Sequence, residues 1–162
     1  MQDIPALMKG LENTGPILTE FVRSIPTEKM NRRRGEGFWT IAEHLSHLAQ
    51  VQAMLLERLQ RFMAEERPEF VPYIPGDDEP ETQPPQLTAG EALEVFARDR
   101  ARQLALIAKA DEAVWRKTAV HPEYELYSMQ ILVRHILLHD YWHMYRMEEL
   151  WLARDAYLTR LD

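Results

Sequence analysis

Apolar residues recur at three- and four-residue intervals through Ile4, Leu7, Met8, Leu11, Ile17, Leu18, Phe21 and Val22, which predicts a first amphipathic helix. Asp3 followed by Pro5 suits its start and Pro26 its end, while Gly15-Pro16 predicts a kink or a break midway. The polar, arginine-rich stretch up to Trp39, with Gly35 and Gly37, reads as a loop. Thr40 and Glu43 have the spacing of a capping box and open a second helix, which the stop signals end before Pro68. Residues 68–87 hold six prolines and an acidic patch around Asp77, so they predict a long crossover between the second and third helices.

Thr88 and Glu91 repeat the capping box and start a third helix carrying Leu93, Phe96, Leu104 and Ile107. Residues 111–127 are mixed and broken by Pro122. Ser128 suits the cap of a fourth helix running from 129 to about 151. That segment is apolar around most of its circumference, a pattern expected in the middle of a bundle. Residues 153–161 read as a short tail helix, and no stretch shows strand-like alternation. The prediction is an all-α, four-helix bundle forming one domain over residues 1–162.

Composition narrows the function classes. A 46% hydrophobic and 28% charged chain is ordinary for a water-exposed globular domain. No run is apolar enough to span a bilayer, and the first residues lack a secretory pattern, so a cytoplasmic location is expected. The net charge of −7 disfavours nucleic acid as a partner. Arg32, Arg33 and Arg34 form the one basic cluster, read as a solvated turn or as an anion-attracting rim. There is no cysteine, which removes disulfides, a thiolate nucleophile and thiolate metal sites, leaving His, Asp and Glu as ligands.

The candidate chemistry lies in the histidines. His135, His139 and His143 follow one another at four-residue steps, so neighbouring members stack on nearly one helix face and can converge on one ion. The three positions drift about 80° in all, too far for all of them to meet one ion. Periodicity alone leaves open whether His135 or His143 pairs with His139. An unpaired imidazole inside so apolar a helix costs on the order of 1–3 kcal/mol, so ligation or a polar core network must satisfy the rings. On the second helix, His47 shares a stripe with Val51, Met54 and Leu55, which favours it over His44, placed to pack on Trp39. Glu43 is read as closing the capping box before orienting an imidazole. His121, beside Pro122, reads as a solvated loop residue. Tyr141, Trp142, Tyr145, Met54, Met144 and Met147 read as core.

The segment Phe38-Trp39-Thr40-Ile41-Ala42-Glu43-His44-Leu45-Ser46-His47-Leu48-Ala49 resembles the second-helix motif of the DinB/YfiT-like superfamily. His139-Asp140-Tyr141-Trp142-His143 resembles its fourth-helix pair of histidines, and the order and chain length fit. The resemblance implies a four-helix bundle, often a homodimer, holding a divalent metal, zinc or nickel, through three histidines. Carried over by position these are His47, His139 and His143, which decides between His135 and His143. Many relatives continue the last ligand with His-Arg-Gly-Gln-like residues, whereas Met144-Tyr145-Arg146-Met147 stands here.

Three neutral imidazoles leave at least one coordination position open, the arrangement of a catalytic metal site. The resemblance therefore implies a metal-dependent enzyme acting on a small molecule, either a hydrolase or a transferase using a low-molecular-weight thiol. Without cysteine, such a thiol is a co-substrate. Glu43, Asp140 and Tyr145 are candidate bases. The competing expectation is a non-catalytic dimeric bundle that binds metal or a ligand.

Overall fold

Four long helices form where the apolar spacing places them: α1 (Ile4–Ser24), α2 (Ile41–Ala64), α3 (Ala89–Ile107) and, after shorter elements, α5 (Met129–Leu152). The computed structural model describes residues 3–71 and 86–158. The crossover predicted between α2 and α3 falls mostly on 72–85, outside the described residues. Between α3 and α5 lie the short helix α4 (Glu112–Arg116) and two two-residue strands, β1 (Thr118–Ala119) and β2 (Tyr127–Ser128), paired antiparallel. Glu69 adds a parallel bridge to Val120. This small hairpin corrects the expectation of no strands; it is too short for side-chain alternation to reveal it. The tail helix α6 covers Asp155–Leu158.

Both capping boxes close. The Thr40 backbone N–H donates to Glu43 Oε2 at 2.6 Å, and the Glu43 N–H donates to Thr40 Oγ1 at 3.1 Å. The same exchange joins Thr88 and Glu91. Ser128 accepts from the Ile131 N–H and starts α5. The predicted break in α1 does not occur: the helix runs unbroken through Pro16. Pro16 removes one backbone donor, but Leu11 and Leu18, fully buried on either side, hold the segment against the core.

Two apolar clusters show how the helices run. Leu7 and Leu11, Leu55 and Leu59, Ile107, and Leu132 and Ile136 make one. Leu18 and Val22, Ile41 and Leu45, Ala92 and Phe96, and Met147 and Leu150 make the other. Chain order within them gives α1 and α5 one direction and α2 and α3 the opposite one. α2 and α3 are therefore parallel neighbours. α1 and α2 each pack on both α3 and α5, so these two consecutive helices sit on a diagonal. Gly10 lets α1 approach α5 closely: a Cβ there would stand 2.7 Å from a Leu137 methyl.

A polar layer, to which each long helix contributes, separates the clusters. Buried Thr14, Gln52, Arg100, Gln103 and Asp140 form it. Arg100 Nη2 donates to Asp140 Oδ2 at 2.6 Å and to Gln52 Oε1 at 3.2 Å, and Gln103 Nε2 donates to Gln52 Oε1 at 3.0 Å.

α5 is not the central helix its composition predicts. Leu138, Tyr141, Trp142, Tyr145 and Leu152 are exposed, so one of its faces looks outward and the aromatic residues are not core. Met144 and Met147 are buried as expected. Arg32 leaves the predicted solvated turn: it donates to the carbonyls of Trp151 at 2.9 Å and Ala153 at 2.6 Å, capping the end of α5, and also pairs with Asp155.

Candidate metal centre

The α2 stripe and the inward face of α5 meet level with the polar layer. His47 Nε2 lies 3.1 Å from His139 Nε2, which lies 3.1 Å from His143 Nε2. Among the described residues, His47, His139 and His143 form a group whose ligand atoms all lie within 4.8 Å of one another. The three histidines singled out from the sequence thus converge.

The donor set fits a divalent ion. Two of the nitrogen spacings, 3.1 Å each, are close to the roughly 3.3 Å between nitrogens about 2.0–2.1 Å from a tetrahedral zinc, and the third lies within 4.8 Å. Protonation also suits ligation. Burial lowers His47 and His139 to about 4, and burial followed by the neighbouring imidazoles holds His143 well below the ordinary range, so the rings are neutral near pH 7. His139 Nδ1, the ring nitrogen turned away from the cluster, is buried without a hydrogen-bond partner.

His44 does more than pack on Trp39. Its ring meets Trp39 edge-on at 5.2 Å, and its Nδ1 also lies 2.8 Å from His143 Nδ1. With His143 Nε2 aimed at the cluster, that contact fixes the tautomer of the ring, as partners of metal-ligating histidines do. Burial lowers His44 to about 4 as well. Trp39 stacks on His143 at 5.8 Å and tilts against His47 at 4.9 Å, closing one side.

The cluster lines a cavity of about 680 Å³, and all six histidines of the chain line it. His121 is therefore not a free loop residue. Half-buried, it lies 4.8 Å from Tyr127 and 4.9 Å from Tyr124, and His135 closes the same group of rings. His135 faces the cavity one turn before His139 but outside the trio. Arg34 lines the mouth above Phe38, and Arg146, from the segment that departs from the family pattern, pairs with Glu149 at 2.7 Å. Of the candidate bases, Glu43 is spent on the capping box, Asp140 faces Arg100 and Tyr145 points outward; none lines the cavity.

The family model of the DinB superfamily matches residues 11–147. The chain belongs to the DinB superfamily. This DinB-superfamily chain is also similar to a solved structure of YfiT from Bacillus subtilis, described as a probable metal-dependent hydrolase with an unusual four-helix bundle topology. The likeness covers 90% of this chain and 84% of that one at 18% identity, with a TM-score of 0.76. At that identity it shows the fold. No curated protein matches the sequence. Among the described residues no helix is long and apolar enough to cross a membrane.

Sequence reasoning missed His44 as the partner of a candidate ligand, and His121, Tyr124, Tyr127 and His135 as a cavity wall. It also missed Arg58, which lines the cavity. For Arg58 a signal existed: it follows His47 by three turns on the stripe of Val51, Met54 and Leu55. For the hairpin residues none did, because the turn that presents them is defined by tertiary packing.

Proposed function

We propose that this protein is a metal-dependent enzyme of the DinB superfamily, acting on a small molecule at a centre formed by His47, His139 and His143. The observation that carries the reading is the convergence of three neutral ring nitrogens on a cavity large enough for a small-molecule substrate. The description of YfiT as a probable metal-dependent hydrolase supports it. The ion is zinc or nickel, both compatible with an all-imidazole donor set. Such an ion supplies Lewis acidity, lowering the pKa of a water or of an incoming thiol.

The chain's residues supply the setting. His47, His139 and His143 present lone pairs, His44 orients His143, and Trp39 shields one side from water. Hydrolysis and thiol S-transfer use the same centre and differ in the nucleophile. The protein works as a cytoplasmic homodimer in this reading. A cavity leading to the cluster favours an enzyme over the alternative of a non-catalytic metal- or ligand-binding bundle, which needs no substrate-sized space beside its ion.

Metal analysis of protein purified without a histidine tag tests the reading. About one ion per chain is expected; a metal-free protein that takes up no zinc or nickel would refute it. Turnover of electrophiles with glutathione, bacillithiol or mycothiol assigns the transferase, and turnover of esters or amides without a thiol assigns the hydrolase.

A further inference from the structure

The cavity has two polar ends joined by an apolar middle. Toward one end stand the three converging histidines, with Arg34, Arg146 and Glu149 also on that side. Val51, Met54 and Leu55 from α2, with Leu132 and Ile136 from α5, line the middle. At the other end are Arg58, His121 and Tyr127. His47 and Arg58 lie eleven residues apart on one stripe of α2, so their Cα levels are separated by about 17 Å along the axis.

The far end is built of hydrogen-bond donors. Arg58 is half-buried, its Nη2 donates to the Val71 carbonyl at 2.7 Å, and its guanidinium lies 5.5 Å from the centre of the Phe70 ring. That leaves further N–H groups on the fork. His121 Nδ1 accepts the Glu123 backbone N–H at 3.2 Å, so Nε2 carries the ring proton and is a donor. The carboxylate of Glu123, also on the wall, is exposed, and at His121 the charge of Arg58 outweighs it. Elsewhere in the cavity Arg146 is neutralised by Glu149, whereas no described carboxylate lies within ion-pair distance of Arg58.

We propose that Arg58, with His121 and Tyr127, binds the acidic tail of an elongated substrate whose reacting head lies at His47, His139 and His143. The substrate class is an amphiphilic small acid: a metal-seeking group, an apolar middle and a terminal carboxylate or phosphate. This inference rests on the metal-centre reading above and adds the specificity of the opposite end. A local cation in a chain of net charge −7 gives an anionic tail a favourable place to go.

The test compares two hydroxamates on zinc-loaded protein by calorimetry. Octanohydroxamic acid and suberic acid monohydroxamate share a chelating head and an eight-carbon chain; only the second ends in a carboxylate. The carboxylate should tighten binding about tenfold or more, the worth of one charge-assisted hydrogen bond. Arg58→Met should abolish that difference while leaving octanohydroxamate affinity unchanged, and Arg58→Lys should keep part of it. Equal binding of the two probes to the unmodified protein overturns this inference alone, as does a difference that survives Arg58→Met. Failure of both probes to bind overturns the accessible metal centre as well. Should Arg58→Met not fold, the unmodified protein and Arg58→Lys still decide: a full difference with Arg58 and a reduced one with Lys support the proposal.

Discussion

His44 Nδ1 stands 2.8 Å from Nδ1 of His143, so the ring nitrogen facing away from the cluster is held by a second, equally buried imidazole. One of the two must donate. If His143 Nε2 is a ligand, His143 carries its proton on Nδ1 and His44 accepts with its own Nδ1, leaving the His44 proton on Nε2. His44→Ala should therefore weaken zinc binding about tenfold to a hundredfold without emptying the site at saturating metal. Competition against a chromogenic chelator measures it. An unchanged affinity would make the contact incidental.

The trio itself should respond differently. His139 contributes the nitrogen that both other rings face, so His139→Ala should abolish stoichiometric metal binding. His121→Ala removes a ring from the opposite wall and should leave occupancy intact. Inductively coupled plasma analysis of the two purified variants separates these outcomes; equal losses would count against the assignment.

The metal-free protein should lose stability in mild acid. His44, His47 and His139 have folded-state values of about 4, depressed by burial from an ordinary 6.5. Between those limits the unfolded chain binds more protons than the folded one, so stability is present above about pH 6.5 and falls as the pH drops toward 4. Each such ring contributes a slope of up to about 1.4 kcal/mol per pH unit. Asp140 acts with the opposite sign: burial raises its carboxyl to about 6, so its folded form binds the extra proton. Three or more rings outweigh one carboxyl. The urea midpoint of chelator-treated protein should fall steadily from pH 6.5 to 4; a flat profile would contradict the buried neutral rings.

Arg100 and Asp140 are 4% and 1% exposed, and removing one partner strands a buried charge. Arg100→Met should cost about 3–5 kcal/mol in chemical denaturation. The double variant Arg100→Met/Asp140→Leu should recover much of that loss, since two apolar side chains leave no charge behind. If the double variant is less stable than the single one, the rest of the polar layer, Gln52 and Gln103, depends on the pair more than their direct bonds show.

Local periodicity and the reach of a single turn made the four long helices and both capping boxes legible in the sequence, and left the histidines as candidates. His47 was legible from its stripe with Val51 and Leu55, and the choice of His143 over His135 needed the family resemblance. Other features depended on which faces pack together. Pro16 stays helical because the core on either side outweighs one missing donor. The outward aromatic face of α5 depends on where α1 and α2 lie, which the composition of α5 cannot express. His44, His121, Arg58 and the Arg100–Asp140 pair acquired their partners across helices and a hairpin far apart in the chain. A local pattern states how each residue is spaced from its own neighbours; the contact it makes with another segment is fixed only when the parallel run of α2 and α3 and the diagonal placement of α1 and α2 bring the segments together.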